Sequence, residues 1–218
     1  DSTNNNEGDS ENSSFTFTIT RSETLVGASS VSYSVTGSGE NPATAEDFIG
    51  NTFPSGSVNF ADGESTKTVT INIAGDLLVE PDEGFIVMLS NPESASITTA
   101  TVIGVITNDD ESLSISAAAE SKAEGNSGST AYNFNVVRSG NISGSSTASY
   151  TVTSTGDSPA TTADFIGNIF PSGTVNFSDG ESSQIITVNI AGDTSFESNE
   201  SFTVSLSNPI SASITTAN

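Results

Sequence analysis

The chain contains one module written twice. Residues 47–51, Asp-Phe-Ile-Gly-Asn, return unchanged at residues 164–168. The tetrapeptide at residues 53–56 likewise returns at residues 170–173, again 117 positions later. Repetition at a fixed spacing is typical of architectures in which each copy forms one structural unit. Spacers, adhesion stalks and repeated cation sites are built by such duplication, whereas a catalytic site is seldom duplicated so literally.

Length sets the number of units. The chain has 218 residues, so each copy is long enough to bury one ordinary hydrophobic core and no third copy fits. We therefore predict two domains, residues 1–110 and residues 111–218.

The charge balance is strongly acidic. Four Lys and Arg residues stand against 27 Asp and Glu residues, which gives a formal net charge of -23. Such a chain repels phosphate backbones and anionic lipid, so we expect no nucleic-acid partner and no membrane insertion. Cations are the favoured partners, because carboxylates that folding brings together repel one another unless they are protonated or share a metal.

Missing residue types exclude the common kinds of hydrolase. The sequence has no Cys, His or Trp, which removes thiol nucleophiles, the usual zinc sites and any Ser-His arrangement. A glycosidase built on paired carboxylates would need a cleft between them, and a compact sandwich with short loops does not supply one. We expect that the protein is not an enzyme.

Composition also bears on location. The chain is rich in Ser, Thr, Asn and Gly and poor in Lys, a composition that fits an exported acidic protein. No apolar run approaches the roughly 20 residues that a membrane helix needs. We expect an extracellular or cell-surface location, with any export signal removed or lying outside this sequence.

Apolar residues alternate with Thr, Ser or Asn in short runs. Phe15/Phe17/Ile19 and Val69/Ile71/Ile73 are examples, and the second copy repeats the pattern at Ile186/Val188/Ile190. Alternation with a period of two predicts strands with one buried face. Short, evenly spaced strands in a domain of this size predict an all-β fold, with an antiparallel sandwich of about seven strands in each copy.

The two copies are not equally complete. We letter the strands of a full module A to G in sequence order, with A near residues 113–117 and G near residues 101–107. The first copy then contains B to G and lacks A, and the second contains A to F and lacks G. Either the chain is a window cut from a longer array, or its ends take strands from neighbouring chains by strand addition.

A set of acidic, strand and turn segments stands at Glu7-Gly8, residues 45–48, residues 58–68, Gly75-Asp76 with residues 80–83, residues 89–92 and Asn108-Asp109-Asp110. These segments resemble a Calx-beta domain, and the likeness spans both copies. It is fairly specific, because an acidic loop, a strand, a turn and an acidic exit follow one another at the family's spacing. The resemblance implies an immunoglobulin-like sandwich that binds calcium at one end, as in regulatory domains of the sodium-calcium exchanger, and that recurs in extracellular adhesion proteins.

Topology gives a separate reason to expect a cation site. In an up-and-down sandwich, the A-B, C-D and E-F connections and the exit from G lie at the same end. Carboxylates from all four segments should converge there as hard oxygen ligands, which calcium takes with less strict geometry than magnesium. The candidate ligands of the first copy are Glu7, Asp47, Asp76, Glu80, Asp82, Glu83, Asp109 and Asp110.

The second copy carries a shorter set. Asn199 replaces the counterpart of Asp82, and nothing corresponds to Asp109 and Asp110, which the resemblance places among the family's ligands. The second site should therefore be weaker unless a following module completes it. Its candidate ligands are Glu124, Asp164, Asp193, Glu197 and Glu200.

Simpler interpretations stand beside these. The convergent carboxylates could form a solvated acidic rim, Asp76 a turn and Asp109-Asp110 a polar linker. Asp62-Gly63 and Asp179-Gly180 belong to the hairpin at the opposite end, where Asp-Gly favours a tight turn, so they are not ligands.

We predict a calcium-binding structural or adhesion repeat of an extracellular bacterial protein, in which calcium stiffens the junction between domains. The expected partners are neighbouring repeats of the same or an identical chain, and a cell-surface or matrix ligand. Three alternatives remain open at this point: a calcium sensor that regulates an attached protein, a carbohydrate- or receptor-binding module, and a filament subunit that assembles by strand complementation.

Overall fold

The chain folds into two compact units. The structure is a computed structural model that describes residues 3–9, 12–118 and 121–218. The units are residues 1–109 and residues 110–218. Nearly all of their regular structure is β-strand, as the period-two alternation predicts.

The first unit forms a five-stranded sheet in the order β1-β7-β6-β3-β4 and a two-stranded sheet, β2-β5. β1 pairs parallel with β7, and the other pairs are antiparallel. The strands are β1 (Thr3–Asn6), β2 (Ser13–Thr20), β3 (Ser29–Ser38), β4 (Ser55–Phe60), β5 (Thr66–Ile73), β6 (Glu83–Glu93) and β7 (Thr101–Thr107).

The second unit forms a three-stranded sheet, β11-β10-β13, and a four-stranded sheet, β12-β9-β8-β14. β14 pairs parallel with β8, and a 3-10 turn, Thr162–Asp164, lies between β10 and β11. The strands are β8 (Glu111–Ala117), β9 (Ser129–Gly140), β10 (Ser146–Ser154), β11 (Ser172–Phe177), β12 (Ser183–Ala191), β13 (Phe202–Ile210) and β14 (Ser213–Thr216).

The strand inventory confirms the all-β prediction of two tandem sandwiches. Within residues 3–9, 12–118 and 121–218, the first unit has no counterpart of β8, the strand lettered A, and the second has none of β7, the strand lettered G. Two short strands were not predicted. β1 pairs with β7 as the outermost strand of the first unit's larger sheet, and β14 pairs with β8 in the second unit.

The core of the first unit is aromatic at its centre. Phe85 on β6 is fully buried, and its ring makes edge contacts with Phe15, Phe17 and Phe48 at centroid distances of 5.0, 6.1 and 5.7 Å. Edge-to-face packing is a favoured arrangement of aromatic rings. Phe48 lies in the β3-β4 connection, so the core holds that connection against the sandwich.

The second unit repeats this plan with one difference. Phe165, the counterpart of Phe48, is fully buried, and Leu113 of β8 and Val136 of β9 are buried in the same core. Phe202, the counterpart of Phe85, is only partly buried. In the first unit β7 covers that position, because a side chain on Gly104 would collide with the Phe85 ring.

Within the described residues, no helix has the length and apolar character needed to cross a membrane.

Candidate metal centres

The connections that carry the candidate ligands meet at one end of each sandwich. In the first unit, the Ala74 N–H donates to the Asp47 carbonyl at 2.9 Å, which joins the β5-β6 connection to the β3-β4 connection. The Glu7 N–H donates to the Thr107 carbonyl at 3.2 Å, which joins the segment after β1 to the end of β7. Four segments distant in sequence therefore lie at one end, as the alternation of strands requires.

The first group of carboxylates, the loop cluster, consists of Asp47, Glu80 and Glu83. One carboxylate oxygen from each residue lies within 4.8 Å of the other two, and all three side chains are partly buried. Asp47 comes from the β3-β4 connection, Glu80 from the β5-β6 connection, and Glu83 begins β6. The cluster therefore depends on tertiary folding.

Local hydrogen bonds fix the Asp47 carboxylate. Its Oδ2 accepts from the Thr44 N–H at 2.5 Å and from the Thr44 hydroxyl at 3.1 Å. The second unit repeats the arrangement at the 3-10 turn, where Asp164 Oδ2 accepts from the Thr161 N–H at 2.6 Å and from the Thr161 hydroxyl at 2.9 Å. This is a capping box with Asp in the third position. It orders each Asp side chain before any ligand binds.

Proximity of like charges changes the acidity of the loop cluster. Burial, a hydrogen bond with Asp47 and the negative charges of Asp47 and Glu80 raise the pKa of Glu83 to about 7. A hydrogen bond between two carboxylates needs a shared proton, so Glu83 retains a proton close to neutral pH. A cation that binds here would replace that proton.

The second group, the exit cluster, consists of Glu7, Asp109 and Asp110. Their carboxylates also offer three oxygens within 4.8 Å of one another. Asp109 is held by the end of β1 and the residues that follow it. Its Oδ1 accepts from the Gly8 N–H at 2.9 Å and its Oδ2 from the Asn6 side-chain amide at 3.1 Å. Both Glu7 and Asp110 are buried.

Two candidate ligands of the first unit lie outside these groups. Asp76 Oδ1 accepts from the Leu78 N–H at 2.6 Å, which is an Asx turn within its own loop. Asp82 Oδ1 accepts from the Asn108 N–H at 3.1 Å. The structure therefore does not place Asp76 or Asp82 among the three-carboxylate groups.

Asn108 is a residue that the sequence analysis overlooked as a site residue. Its side-chain oxygen accepts from the Glu80 N–H at 2.9 Å, while its own N–H donates to Asp82. It thus ties the β5-β6 connection to the residues that follow β7. Its position directly before Asp109-Asp110 could have indicated a role in the site. An uncharged amide next to two acidic residues is, however, equally typical of a polar linker.

In the second unit, the carboxylates of Glu124, Asp193 and Glu197 form the second-unit cluster, again with oxygens within 4.8 Å. Asp193 and Glu197 are exposed and Glu124 is partly buried. The charge of Asp193, then burial, then the charges of Glu124 and Asp164 raise the pKa of Glu197. The three residues are the counterparts of Asp76, Glu80 and Glu7, so equivalent residues group differently in the two units.

Asp164 and Glu200 form a separate hydrogen-bonded pair in the second unit. Burial opposes ionisation of Asp164, but hydrogen bonds from Thr161 and from Glu200 hold its pKa below the usual value. Burial, the hydrogen bond to Asp164 and its charge raise the pKa of Glu200. This pair repeats the contact between Asp47 and Glu83, and the opposite pKa shifts mean that Glu200 holds a proton more readily than Asp164 does.

The donors fit calcium. The three clusters offer carboxylate oxygens, which suit hard cations, and the chain contains no thiol or imidazole that would favour zinc. The carboxylate oxygens lie close together in all three clusters. Nearby negative charge also contributes to the raised pKa of Glu83 in the loop cluster and of Glu197 in the second-unit cluster. Calcium would be held by these carboxylates, and its charge would neutralise their repulsion.

Both copies match one protein family. A model of the Calx-beta domain matches residues 3–111 and again residues 107–216. Among curated proteins, none matches the chain significantly.

Several solved structures match the chain at low sequence identity. The crystal structure of CBD12 from CALX1.2 has a TM-score of 0.47 and 20% sequence identity, and the match covers 97% of this chain and 78% of that chain. The calcium binding domain CBD12 of CALX1.1 has the same TM-score and coverage at 18% identity. The apo form of the Calx CBD1 domain has a TM-score of 0.43 and 21% identity, and covers 50% of this chain and 91% of that chain.

Proposed function

The chain belongs to the Calx-beta domain family, of which it contains two tandem copies, and from this premise we propose that it is a calcium-binding structural repeat of an extracellular bacterial protein. The observation that supports the proposal is the convergence of carboxylates from separate connections. Asp47 comes from the β3-β4 connection, whereas Glu80 and Glu83 come from the end of the β5-β6 connection and the start of β6, and one oxygen of each lies within 4.8 Å of the others.

Neighbouring residues in the first unit orient the proposed calcium ligands. Thr44 orients Asp47, and Asn108 positions the backbone at Glu80. The Gly8 N–H and the Asn6 amide hold both oxygens of Asp109. Preorganised ligands lose less conformational entropy when they bind a cation.

Calcium at the exit cluster would restrict the chain between the two domains. Residues 108–110 are all that separates the end of β7 from the start of β8. Asp109 and Asp110 are two of those three residues, so an ion that they share would limit the backbone freedom of the connection. In an array of repeats, a stiff connection limits bending between neighbouring modules.

A calcium concentration typical of the exterior suits such a role. Extracellular calcium modules have dissociation constants of about 0.1–1 mM. A tenfold to hundredfold excess of calcium over such a constant stabilises the folded state by about 1.4–2.7 kcal/mol per site. The richness in Ser, Thr, Asn and Gly, the scarcity of Lys and the net charge of -23 also fit an exported acidic protein that presents cation sites.

The test is a calorimetric calcium titration of the metal-stripped chain, with thermal unfolding followed in parallel and magnesium as the competing ion. Variants Glu83→Gln and Asp109→Asn each remove one proposed ligand charge. Asp62→Asn is the matched control, because it removes the same charge in the β4-β5 hairpin, where Asp62 Oδ1 accepts from the Gly27 N–H. That hairpin lies one strand length, about 25 Å, from the clusters.

We expect saturable calcium binding, a higher melting temperature with calcium than with magnesium, and at least tenfold weaker binding at one site in each ligand variant. Asp62→Asn should bind as the unaltered chain does. If calcium produced neither binding heat nor thermal stabilisation, the proposal would be contradicted, and the carboxylates would be interpreted as a solvated acidic rim. Micromolar affinity would contradict a structural role and favour a sensor.

A further inference from the structure

The larger sheet of the first unit carries aliphatic side chains on its outer face. Ile86 and Met88 of β6 and Ile103 and Val105 of β7 alternate with core residues of the same strands, such as Phe85. Successive side chains of a strand point to opposite faces of the sheet, so these four side chains lie on the face that points away from the core. Met88 is 41% exposed and Ile103 is 46% exposed.

Strand pairing brings the four side chains together. Ile86 pairs with Ile103 across the β6-β7 ladder, and Met88 and Val105 each lie two residues further along one of these strands. Paired side chains of an antiparallel ladder are about 4.5–5.5 Å apart at Cβ, and residues two apart on one strand are about 7 Å apart. The four residues therefore form one continuous patch, unlike the single exposed apolar residues that are normal on a protein surface.

Small polar residues surround this patch. Those that pair directly with its members are Asn4, Ser34, Thr36 and Thr101. The five strands of the sheet contain two charged residues, Glu83 and Glu93, which are the first and last residues of β6. An apolar centre with few charges and a polar rim is the composition of a protein-protein interface.

The second unit builds the corresponding face without aliphatic residues on β13. Thr203 and Ser205 are the counterparts of Ile86 and Met88. They pair with β10 in the register in which Ile86 and Met88 pair with β3. Thr and Ser thus suffice for the solvent-facing side of this strand, so the fold itself does not require Ile86 and Met88 in the first unit.

We propose that the patch of Ile86, Met88, Ile103 and Val105, the aliphatic face, is a docking surface for a second copy of the chain. The second copy packs its own aliphatic face against the first about a twofold axis. A twofold interface joins the same patch on both copies, and this patch presents the uncharged, apolar surface that it needs from a partner.

Charge favours a second copy over a basic partner. Each copy carries a net charge of -23, so two copies repel one another wherever their carboxylates meet. They approach with least repulsion through a face whose charged residues lie only at the ends of β6. A cationic partner would instead be attracted to the carboxylates of the loops. The proposal does not depend on calcium binding, because no residue of the three carboxylate clusters belongs to the aliphatic face.

The size of the sheet indicates a weak dimer. Five strands about 4.8 Å apart, each about six residues long, cover roughly 24 Å by 20 Å. Two such faces bury roughly 1,000 Å² in total, which is at the lower limit for a specific interface. Sheets that pack face to face lie about 10 Å apart, and aliphatic side chains from both copies would fill that space. We therefore expect dimers that exchange with monomers.

Met88 is the only methionine of the chain, so its methyl group reports on this face directly. The first experiment labels that methyl group with carbon-13 and records its single resonance while the full chain is diluted from millimolar to low micromolar concentration with a chelator present. Sedimentation velocity at the same concentrations measures the mass. We expect the resonance to shift together with the change from dimer to monomer. Dimerisation should strengthen with salt, because salt screens the repulsion between two acidic copies.

Two variants alter the patch. Ile103→Glu places a carboxylate in the aliphatic face, and the double change Ile86→Thr, Met88→Ser introduces the residues that the second unit carries. Both should weaken dimerisation at least tenfold in sedimentation, and melting curves verify that both chains fold. Ile185→Glu is the matched control, because Ile185 is a 64% exposed aliphatic residue on β12 of the second unit. It should leave dimerisation unchanged.

Two results would overturn the proposal. One is a chain that stays monomeric at millimolar concentration and high salt, with a Met88 resonance that does not move on dilution. The other is dimerisation that Ile103→Glu leaves unchanged or that Ile185→Glu abolishes, since the contact between copies would then lie on another surface.

Discussion

Arg138 and Glu111 form a buried ion pair that ties β9 to β8 in the second unit. Their side chains are 0% and 5% exposed, and Arg138 Nε donates directly to Glu111. Removal of one partner leaves the other as an uncompensated buried charge. We predict that Glu111→Gln lowers the free energy of unfolding of the second unit by about 3–5 kcal/mol.

Hydrogen exchange of the β8 and β9 amides measures this loss within one unit. The exposed pair between Lys67 and Glu64, 2.9 Å apart, is the control. Glu64→Gln should leave amide protection in the first unit nearly unchanged, because exposed ion pairs contribute little. Equal losses in the two variants would mean that the buried pair has no special role.

The stability of the metal-free first unit should fall as pH rises. The pKa of Glu83 lies at about 7 in the folded chain, above its ordinary value of 4.5. Between these pH values the unfolded chain has released a proton that the folded chain still holds, so a rise in pH favours unfolding. We predict a loss of about 1 kcal/mol from pH 5 to pH 8, reduced from the full linkage value by solvent screening.

Urea unfolding at the two pH values, with and without calcium, measures this dependence. Glu83→Gln should flatten the pH dependence, because its side chain cannot titrate. Saturating calcium should also flatten it, since the cation replaces the proton. A Glu83→Gln chain that keeps the whole pH dependence would show that other groups are responsible.

The fold could be predicted from the sequence because apolar and polar residues alternate within its strands. Phe15, Phe17 and Ile71 fall on the buried face that a period of two requires. β1 was missed because Thr3–Asn6 is entirely polar, and its pairing with β7 depends on an edge provided by distant sequence. Arg138 was not expected in the interior, because a charged side chain is buried only when tertiary structure supplies a partner.

The candidate site was predictable only at the level of which segments meet. Strand alternation places the connections at one end, but loop conformation decides which oxygens come together. The Asp76 carboxylate accepts a hydrogen bond from the Leu78 N–H within its own loop, whereas the carboxylates of Glu80 and Glu83 lie close to that of Asp47. The equivalent loop of the second unit brings Asp193 into a cluster instead. The role of these residues as ligands stays a prediction until calcium binding is measured.

The two units should respond differently to the loss of equivalent aromatic residues. Phe85 is fully buried beneath Gly104 of β7, while its counterpart Phe202 is only partly buried. We predict that Phe85→Ala destabilises the first unit by about 3–5 kcal/mol, the usual cost of a large core truncation. Phe202→Ala should cost less in the second unit. Urea unfolding monitored by unit-specific amide resonances compares the two, and equal costs would contradict the burial difference.

Gly75 controls how closely the β5-β6 connection approaches the segment that carries Glu7. A Cβ at Gly75 would lie 1.9 Å from the Gly8 carbonyl oxygen, whereas at the counterpart Gly192 the nearest atom, the Gly125 carbonyl oxygen, is 2.7 Å away. Gly75→Ala must therefore displace the backbone around Glu7 and should destabilise the first unit by about 1–3 kcal/mol. It should also weaken calcium binding at the exit cluster more than Gly192→Ala weakens binding at the second-unit cluster. Calorimetric titration of both variants measures the difference, and a Gly75→Ala chain with unaltered calcium affinity would show that Glu7 is not a ligand.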